Sequence, residues 1–303
     1  TQDMLLKKAL KGAGMENLQH TRAGRVPIQD FVILPTAEEK AQALRSSHQR
    51  LRQKQKLDLM TLAGEVNFLA NTQPYIRFAH GQISRIMSCP NTEHIQIAKK
   101  MMRYLVGRVG QGVRFRSDIS QKLFVFCDTN YGTTVYTGIV VYLNGGVIYS
   151  KSLRQRFASR STFEAELAGL AEGARVALYY RAIARDLGLD IDRAVIMGDN
   201  EASINEAKAT YNGGGISKLR HHRIRLNWLK QQYQRKLIDF VHVPGVDNVA
   251  DILTKPITAQ ELWDDLYGQM MGEVPTRAIL AYENVEKEDH EASSADRQET
   301  ELP

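Results

Sequence analysis

The tightest constraint on the fold of this chain is a pair of short apolar runs that each lead into an aspartate. Leu123-Phe124-Val125-Phe126-Cys127 ends at Asp128, and Ala194-Val195-Ile196-Met197 leads to Gly198-Asp199. Runs this short and this apolar, bounded by polar residues, read as buried strands. An ionised aspartate is almost never buried without a partner, so such strand ends demand a compensating charge. If the two strands lie side by side and parallel, their carboxyl ends share the crevice where open sheets place their sites.

The surrounding periodicity supplies the other elements. Before Gly110 the pattern is helical: Met4 to Gly14, Ala37 to about Leu69, Tyr75 to Met87 after the interruption at Pro74, and His94 to Leu105 after a break at Ser88-Cys89-Pro90-Asn91. After Gly112 it alternates. Val135 to Leu143 reads as a strand, Asn144-Gly145-Gly146 as a hairpin turn, and Val147 to Tyr149 as the returning strand. A long Ala- and Leu-rich helix from Thr162 to Leu187 is closed by Gly188. Helices from Glu201 to Ala209 and from Leu219 to Lys236 follow, separated by Asn212-Gly213-Gly214-Gly215. A strand from Leu237 to Val243, a short helix from Val246 to Leu253 and an amphipathic helix from Gln260 to Met271 complete the order. Three strands in hairpin order, then strands alternating with helices, describe an α/β domain: a mixed five-stranded sheet with flanking helices, preceded by a small helical module.

Composition narrows the class. At 303 residues and 43% apolar content the chain can build two soluble units and a tail. No apolar run is long enough to span a membrane, and the N-terminal stretch lacks the apolar core expected of a secretory signal peptide. Two cysteines, Cys89 and Cys127, support no disulfide framework and point to a reducing compartment. The first residue is Thr1, so a longer parent product is expected. The net charge of +6 is unevenly spread. Lys99 to Arg116 holds six bases and no acid, and Lys218 to Lys236 holds seven with His221 and His222 beside them. The last twenty-one residues hold eight acids against two bases and read as disordered. Two unmixed basic blocks are the footprint of a polyanion binder, with Lys99, Lys100, Arg103, Lys218, Arg220, Arg223 and Arg225 as candidate contacts. Two solvated helix faces would be the plainer explanation. Trp228 and Tyr233, at helical spacing, are expected to pack in the core rather than stack on bases.

Four acids combine into one chemical proposal. Besides Asp128 and Asp199, Glu166 lies in the first turns of the long helix and Asp251 in the last short one. Singly, each has a dull explanation as a turn cap or surface acid. Together they form an oxygen-only donor set suited to Mg²⁺, and two such ions can clamp both oxygens of a phosphodiester displacement.

At this point the chain resembles the C-terminal part of the Pol polyprotein of copia-type LTR retrotransposons. The resemblance rests on Phe68-Leu69-Ala70-Asn71-Thr72-Gln73-Pro74, Arg103-Tyr104-Leu105-Val106-Gly107, Cys127-Asp128-Thr129-Asn130, Ser161-Thr162-Phe163-Glu164-Ala165-Glu166-Leu167, Gly198-Asp199-Asn200 and Val249-Ala250-Asp251-Ile252-Leu253-Thr254-Lys255-Pro256. It implies a ribonuclease H-like domain over residues 119–257, a helical thumb or connection module over 51–118, a palm or connector remnant over 1–50, and a helix with an acidic tail over 258–303. It also implies Asp128, Glu166, Asp199 and Asp251 as catalytic metal ligands for two Mg²⁺ ions, with Mn²⁺ as a substitute. Glu164 competes with Glu166, which is preferred because it precedes Leu167. The implied substrate is the RNA strand of an RNA–DNA hybrid, the implied partner the remainder of reverse transcriptase, and the implied location the cytoplasm or a virus-like particle. No membrane role follows.

Departures are equally informative. The palm's Tyr/Phe-x-Asp-Asp turn is missing, since Asp264-Asp265 is the first such pair and lies in a helical pattern, so no DNA synthesis is expected. Asn130 stands where the family often has a second aspartate, in a shortened loop, and Tyr75 replaces an aspartate after Pro74. The loop histidine before the last aspartate is replaced by Gly245-Val246-Asp247, leaving His221 as the candidate for its proton role. His221 with His222 makes a poor zinc site because neither cysteine is near. Two rival readings stand beside the nuclease: a decayed or co-opted nucleic-acid-binding scaffold, and an integrase-like strand transferase of the same fold.

Overall fold

The computed structural model describes residues 2–13, 24–32, 36, 38, 49–116, 121–132, 134–155, 159, 161–209 and 220–286, the side chains of 2–3, 49–56 and 220–222 excepted. Lys218, the glycines at 213–215 and the acidic stretch 287–303 lie outside the described residues, as do the side chains of Arg220 and His221.

The helices before the sheet are α1 (Gln2–Gly12), α2 (Gln49–Leu69), α3 (Arg77–Ser84) and α4 (Thr92–Val106). The continuous helix expected from Tyr75 to Met87 is divided. Pro74–Ile76 forms a 3₁₀ turn, and the α-helix begins only at Arg77. It also ends early, because the amides of Arg85 and Ile86 bond three residues back, to Gln82 and Ile83, and tighten the last turn. Asn91 starts α4 with a reciprocal cap: its side chain accepts from the His94 amide and His94 Nδ1 accepts from its own.

The sheet is built from β1 (Leu123–Asn130), β2 (Tyr136–Leu143), β3 (Gly146–Arg154), β4 (Ala194–Gly198) and β5 (Ile238–His242) in the order β3-β2-β1-β4-β5. β1 pairs antiparallel with β2 and parallel with β4, and β5 pairs parallel with β4. The β2–β3 hairpin turns on Asn144 and Gly145, both at positive φ, which matches the right-handed strand twist. The long helix α5 (Thr162–Asp186), α6 (Glu201–Lys208) and α7 (Arg220–Gln234) follow. This is the expected mixed five-stranded sheet with flanking helices.

Alternation along the strands divides the apolar residues between two cores. Val125, Cys127, Ile139, Val141 and Ile196 pack beneath α5 and α7 through Leu167, Leu170, Leu226 and Leu229, with Trp228 and Tyr233 at the margin. Phe124, Phe126, Val140, Tyr142, Val195 and Met197 face the other way, in one core with Leu69, Ile76 and Phe78 of the N-terminal helices. The same core takes in α8 (Gln260–Met271) through Trp263, Leu266 and Met270. A sheet covered on both faces explains why β1 and β4 read as unbroken apolar runs. α8 is fastened to α4 as well: Trp263 Nε1 donates to the Tyr104 hydroxyl at 2.9 Å, and the Arg108 guanidinium lies 3.9 Å from the centre of the Tyr267 ring. Residues 277–286 form a last helix, α9, so the start of the acidic tail expected to be disordered is helical through 286, with the apolar Ala278 and Ile279 anchoring the helix in the core. No described helix is long and apolar enough to cross a membrane.

Candidate metal centre

The β1–β4 register runs Leu123↔Ala194 to Phe126↔Met197 in parallel. Extended by two residues, it places Asp128 beside Asp199, so the side-by-side parallel arrangement on which the shared crevice depends is present. Asp251 arrives from the opposite core. The expected helix from Val246 to Leu253 is instead two 3₁₀ turns, Gly245–Asp247 and Val249–Leu253, separated at Asn248. Asn248 is fully buried and makes the join: its Oδ1 accepts from the Ala250 amide at 3.2 Å, and its Nδ2 donates to the Cys127 carbonyl at 2.9 Å. The turn carrying Asp251 is thereby tied to the strand carrying Asp128. Gly138, the cross-strand neighbour of Asp128, permits the approach, because a Cβ there would stand 2.6 Å from the Ala250 carbonyl.

Glu166 comes from the other side, on the first turns of α5. Ser161 caps that helix by accepting from the Glu164 amide at 3.2 Å. One turn beyond Glu166, Gly169 rests directly against Thr129, where any side chain would collide with the threonine hydroxyl. That contact seats the acidic end of α5 over the end of β1.

Ligand oxygens of Asp128, Asp199 and Asp251 all lie within 4.8 Å of one another. Glu166, 9% exposed, completes the cluster at longer range, with all three aspartates among its electrostatic neighbours. Burial first, then repulsion from Asp128, Asp199 and Asp251, pushes the Glu166 carboxyl up to about 9. Asp128 and Asp251 are also raised, chiefly by burial; repulsion between them holds Asp128 up, while Lys255 offsets part of the rise in Asp251. Asp199 is raised by burial and by Asp128. Such a cluster is unstable as four bare charges.

The structure supplies partial relief. The Thr254 hydroxyl donates to Asp128 Oδ2, and Lys255 Nζ lies 2.8 Å from Asp251 Oδ2. Asp251 Oδ1 is buried with no hydrogen-bond partner among the described residues. An all-oxygen donor set with an orphaned buried carboxylate oxygen fits a hard divalent cation. The three aspartates are thus a group that could hold ions. His242, at the end of β5, lies beside them, its Nε2 3.2 Å from the Asp199 carbonyl oxygen.

The other site expectations are placed less centrally. Lys100, Arg103 and Arg223 are exposed, and Lys99 and Arg225 half-buried. Engaged members of the basic blocks include Arg108, by the tyrosines of α4 and α8, and the buried Lys230, by Glu206 at 2.8 Å. A cleft of about 490 Å³ between β3, α5 and α7, lined by Arg154, Arg175, Arg225 and Trp228 among others, contains none of the four acids. The sequence analysis missed Asn248, Thr254 and Lys255, although all three stand within four residues of Asp251 and the last two lie in the quoted motif from Val249 to Pro256.

No protein-family model matches the chain. The retrovirus-related Pol polyprotein from transposon RE1 of Arabidopsis thaliana is 29% identical over 206 residues, covering 65% of this chain and 14% of that protein. The corresponding polyprotein from transposon TNT 1-94 of Nicotiana tabacum is 25% identical over 280 residues, covering 88% of this chain and 20% of that one. The chain therefore spans only a small part of these relatives. Among solved structures, LC11-RNase H1 covers 45% of this chain and 94% of its own at 17% identity and a TM-score of 0.34. A foamy viral protease-reverse transcriptase in complex with dsDNA covers 69% and 42%, at 16% identity and a TM-score of 0.34. The chain is thus similar to retrovirus-related Pol polyproteins of transposons.

Proposed function

We propose that the chain is the ribonuclease H part of a copia-type retrotransposon Pol, hydrolysing the RNA strand of RNA–DNA hybrids. The observation that supports this best is the meeting of Asp128, Asp199 and Asp251 within 4.8 Å at the ends of β1 and β4, beside Glu166. Asp128 and Asp251 would hold one Mg²⁺, and Asp128, Glu166 and Asp199 a second. When bound, the pair supplies an activated water for attack on the phosphate and stabilisation of the leaving 3′-oxygen.

The chain's own residues do the remaining work. Asn248 and Thr254 hold Asp251 and Asp128 in fixed relation, so little reorganisation accompanies the reaction. His221 is retained as the candidate proton carrier. Contacts to the RNA 2′-hydroxyl would separate hybrid from duplex DNA. Lys99, Lys100, Arg103, Lys218, Arg220, Arg223 and Arg225 would track the phosphate backbone. The helices of residues 51–118 act as the thumb or connection module, and the rest of Pol is the natural partner.

The test is cleavage of an end-labelled RNA–DNA duplex with and without Mg²⁺. Metal-dependent products bearing 5′-phosphate and 3′-hydroxyl ends, lost in Asp199→Asn, support the reading. Hybrid binding without cleavage would favour the scaffold alternative, and strand transfer on duplex DNA the integrase-like one.

A further inference from the structure

Among the described residues, Lys255 is the ammonium paired with the carboxylate cluster, and its backbone placement is constrained. It follows Asp251 by four residues, with its amide 3.4 Å from the Asp251 carbonyl oxygen and Pro256 restricting its own backbone. Its ammonium lies 2.8 Å from Asp251 Oδ2, and its side chain is 43% exposed against 9% for Asp251. The lysine therefore reaches inward from solvent, with room to withdraw.

The two oxygens of Asp251 consequently differ. Oδ2 is paired with an ammonium, and Oδ1 is buried with no hydrogen-bond partner among the described residues. The nearby contact from Thr254 to Asp128 is of another kind, because a neutral hydroxyl can stay on a carboxylate that also binds an ion. An ammonium beside an incoming divalent cation meets direct repulsion, since both compete for the same negative charge.

We propose that Lys255 is a resident counter-cation that holds the carboxylates together before metal enters and must release Asp251 as a divalent ion binds. It thereby sets an upper limit on how tightly the site holds that ion. This rests on the metal-site reading above. Lys255 is in this account a positioning residue, acting on Asp251 rather than on the reacting atoms. Weak metal retention would also leave ion uptake dependent on the arrival of a phosphate, whose charge gives the displaced ammonium a second partner.

The test is Mn²⁺ titration by calorimetry and paramagnetic resonance, together with melting of the metal-free protein, for wild type, Lys255→Met and Lys255→Arg. Removing one close opposing charge is expected to tighten Mn²⁺ binding by about tenfold or more. The same Lys255→Met change lowers the melting temperature of the metal-free protein and enlarges the gain on adding Mn²⁺. Lys255→Arg, which keeps the charge, stays near wild type in affinity. A folded Lys255→Met protein with unchanged or weaker Mn²⁺ affinity overturns the proposal while leaving the metal site standing. If the methionine variant does not fold without ion, Lys255→Gln is judged by the same affinity criterion. Absence of Mn²⁺ binding by wild type defeats the metal-site reading and this proposal together.

Discussion

Asn248 donates a 2.9 Å hydrogen bond to the carbonyl of Cys127, joining two segments 121 residues apart in sequence at the point where the candidate site forms. One partner immediately precedes Asp128, and the other lies three residues before Asp251. The relation between those two acids is therefore held by backbone and a buried amide rather than by the acids themselves.

Replacing Asn248 with alanine removes both bonds and leaves the Cys127 carbonyl and Ala250 amide unsatisfied. A buried group stranded in this way costs about 1–3 kcal/mol. The expected outcome is a lower melting temperature and a kcat reduced far more than hybrid affinity. Chemical denaturation paired with steady-state kinetics checks it. Full activity in Asn248→Ala would mean that the turn is positioned by other means.

The raised carboxyls make the metal-free protein sensitive to alkaline pH. Glu166 stays protonated in the fold up to about 9, whereas in the unfolded chain it ionises near its ordinary value. Its folded state thus binds the proton more tightly, so the stability it contributes is complete below the unfolded value and declines as pH rises toward 9. Melting temperatures without metal should fall through the neutral range, at roughly 2–4 °C per kcal/mol lost for a chain of this size. Added Mg²⁺ should restore more at alkaline than at acid pH, because it binds the ionised form. Asp199→Asn, which removes one repelling charge, should raise the metal-free melting temperature even as it abolishes cleavage. Melting curves across pH, with and without Mg²⁺, decide the matter.

Gly169 is the seat of α5 on β1, and Gly169→Val forces the helix away from Thr129. Overpacking of this kind costs about 1–3 kcal/mol. Because Glu166 rides on the same helical face, weaker Mn²⁺ binding should accompany the loss of stability. Calorimetric titration is the check; unchanged Mn²⁺ affinity would show that Glu166 is not placed by this contact.

The basic blocks hold exposed members, such as Lys100 and Arg223, and engaged ones. Lys100→Ala and Arg223→Ala should each weaken hybrid binding and reduce the dependence of log affinity on log salt by about one counterion. Lys230→Ala should act differently, lowering stability with no change in salt dependence, since its charge is spent on Glu206. Fluorescence anisotropy at several salt concentrations separates the two groups.

Much of the fold was legible because its signals are local. The apolar runs at 123–127 and 194–197, the Asn144-Gly145 turn and the capped helix from Thr162 each declare themselves within a few residues. What covers the second face of the sheet was not legible. The apolar stripes of α4 and α8 show that each helix must bury one side, yet nothing local says that Tyr104, Trp263 and Tyr267 meet. The apolar spacing of the short element carrying Asp251 fits one helix as well as two turns, while the side-chain bonds of Asn248 break it into 3₁₀ turns. Lys255 escaped notice for a related reason. A lysine after a helical turn reads as solvated, and only the fold reveals that it leans back onto Asp251.

The central claim is that the four acids are a metal centre, and anomalous scattering from crystals soaked in Mn²⁺ tests it most directly. The account predicts density bridging Asp128, Asp199 and Asp251, with a second peak reaching Glu166 once a non-cleavable hybrid is bound. Well-ordered crystals of the folded protein showing no anomalous density at those oxygens, even at high Mn²⁺, would contradict it.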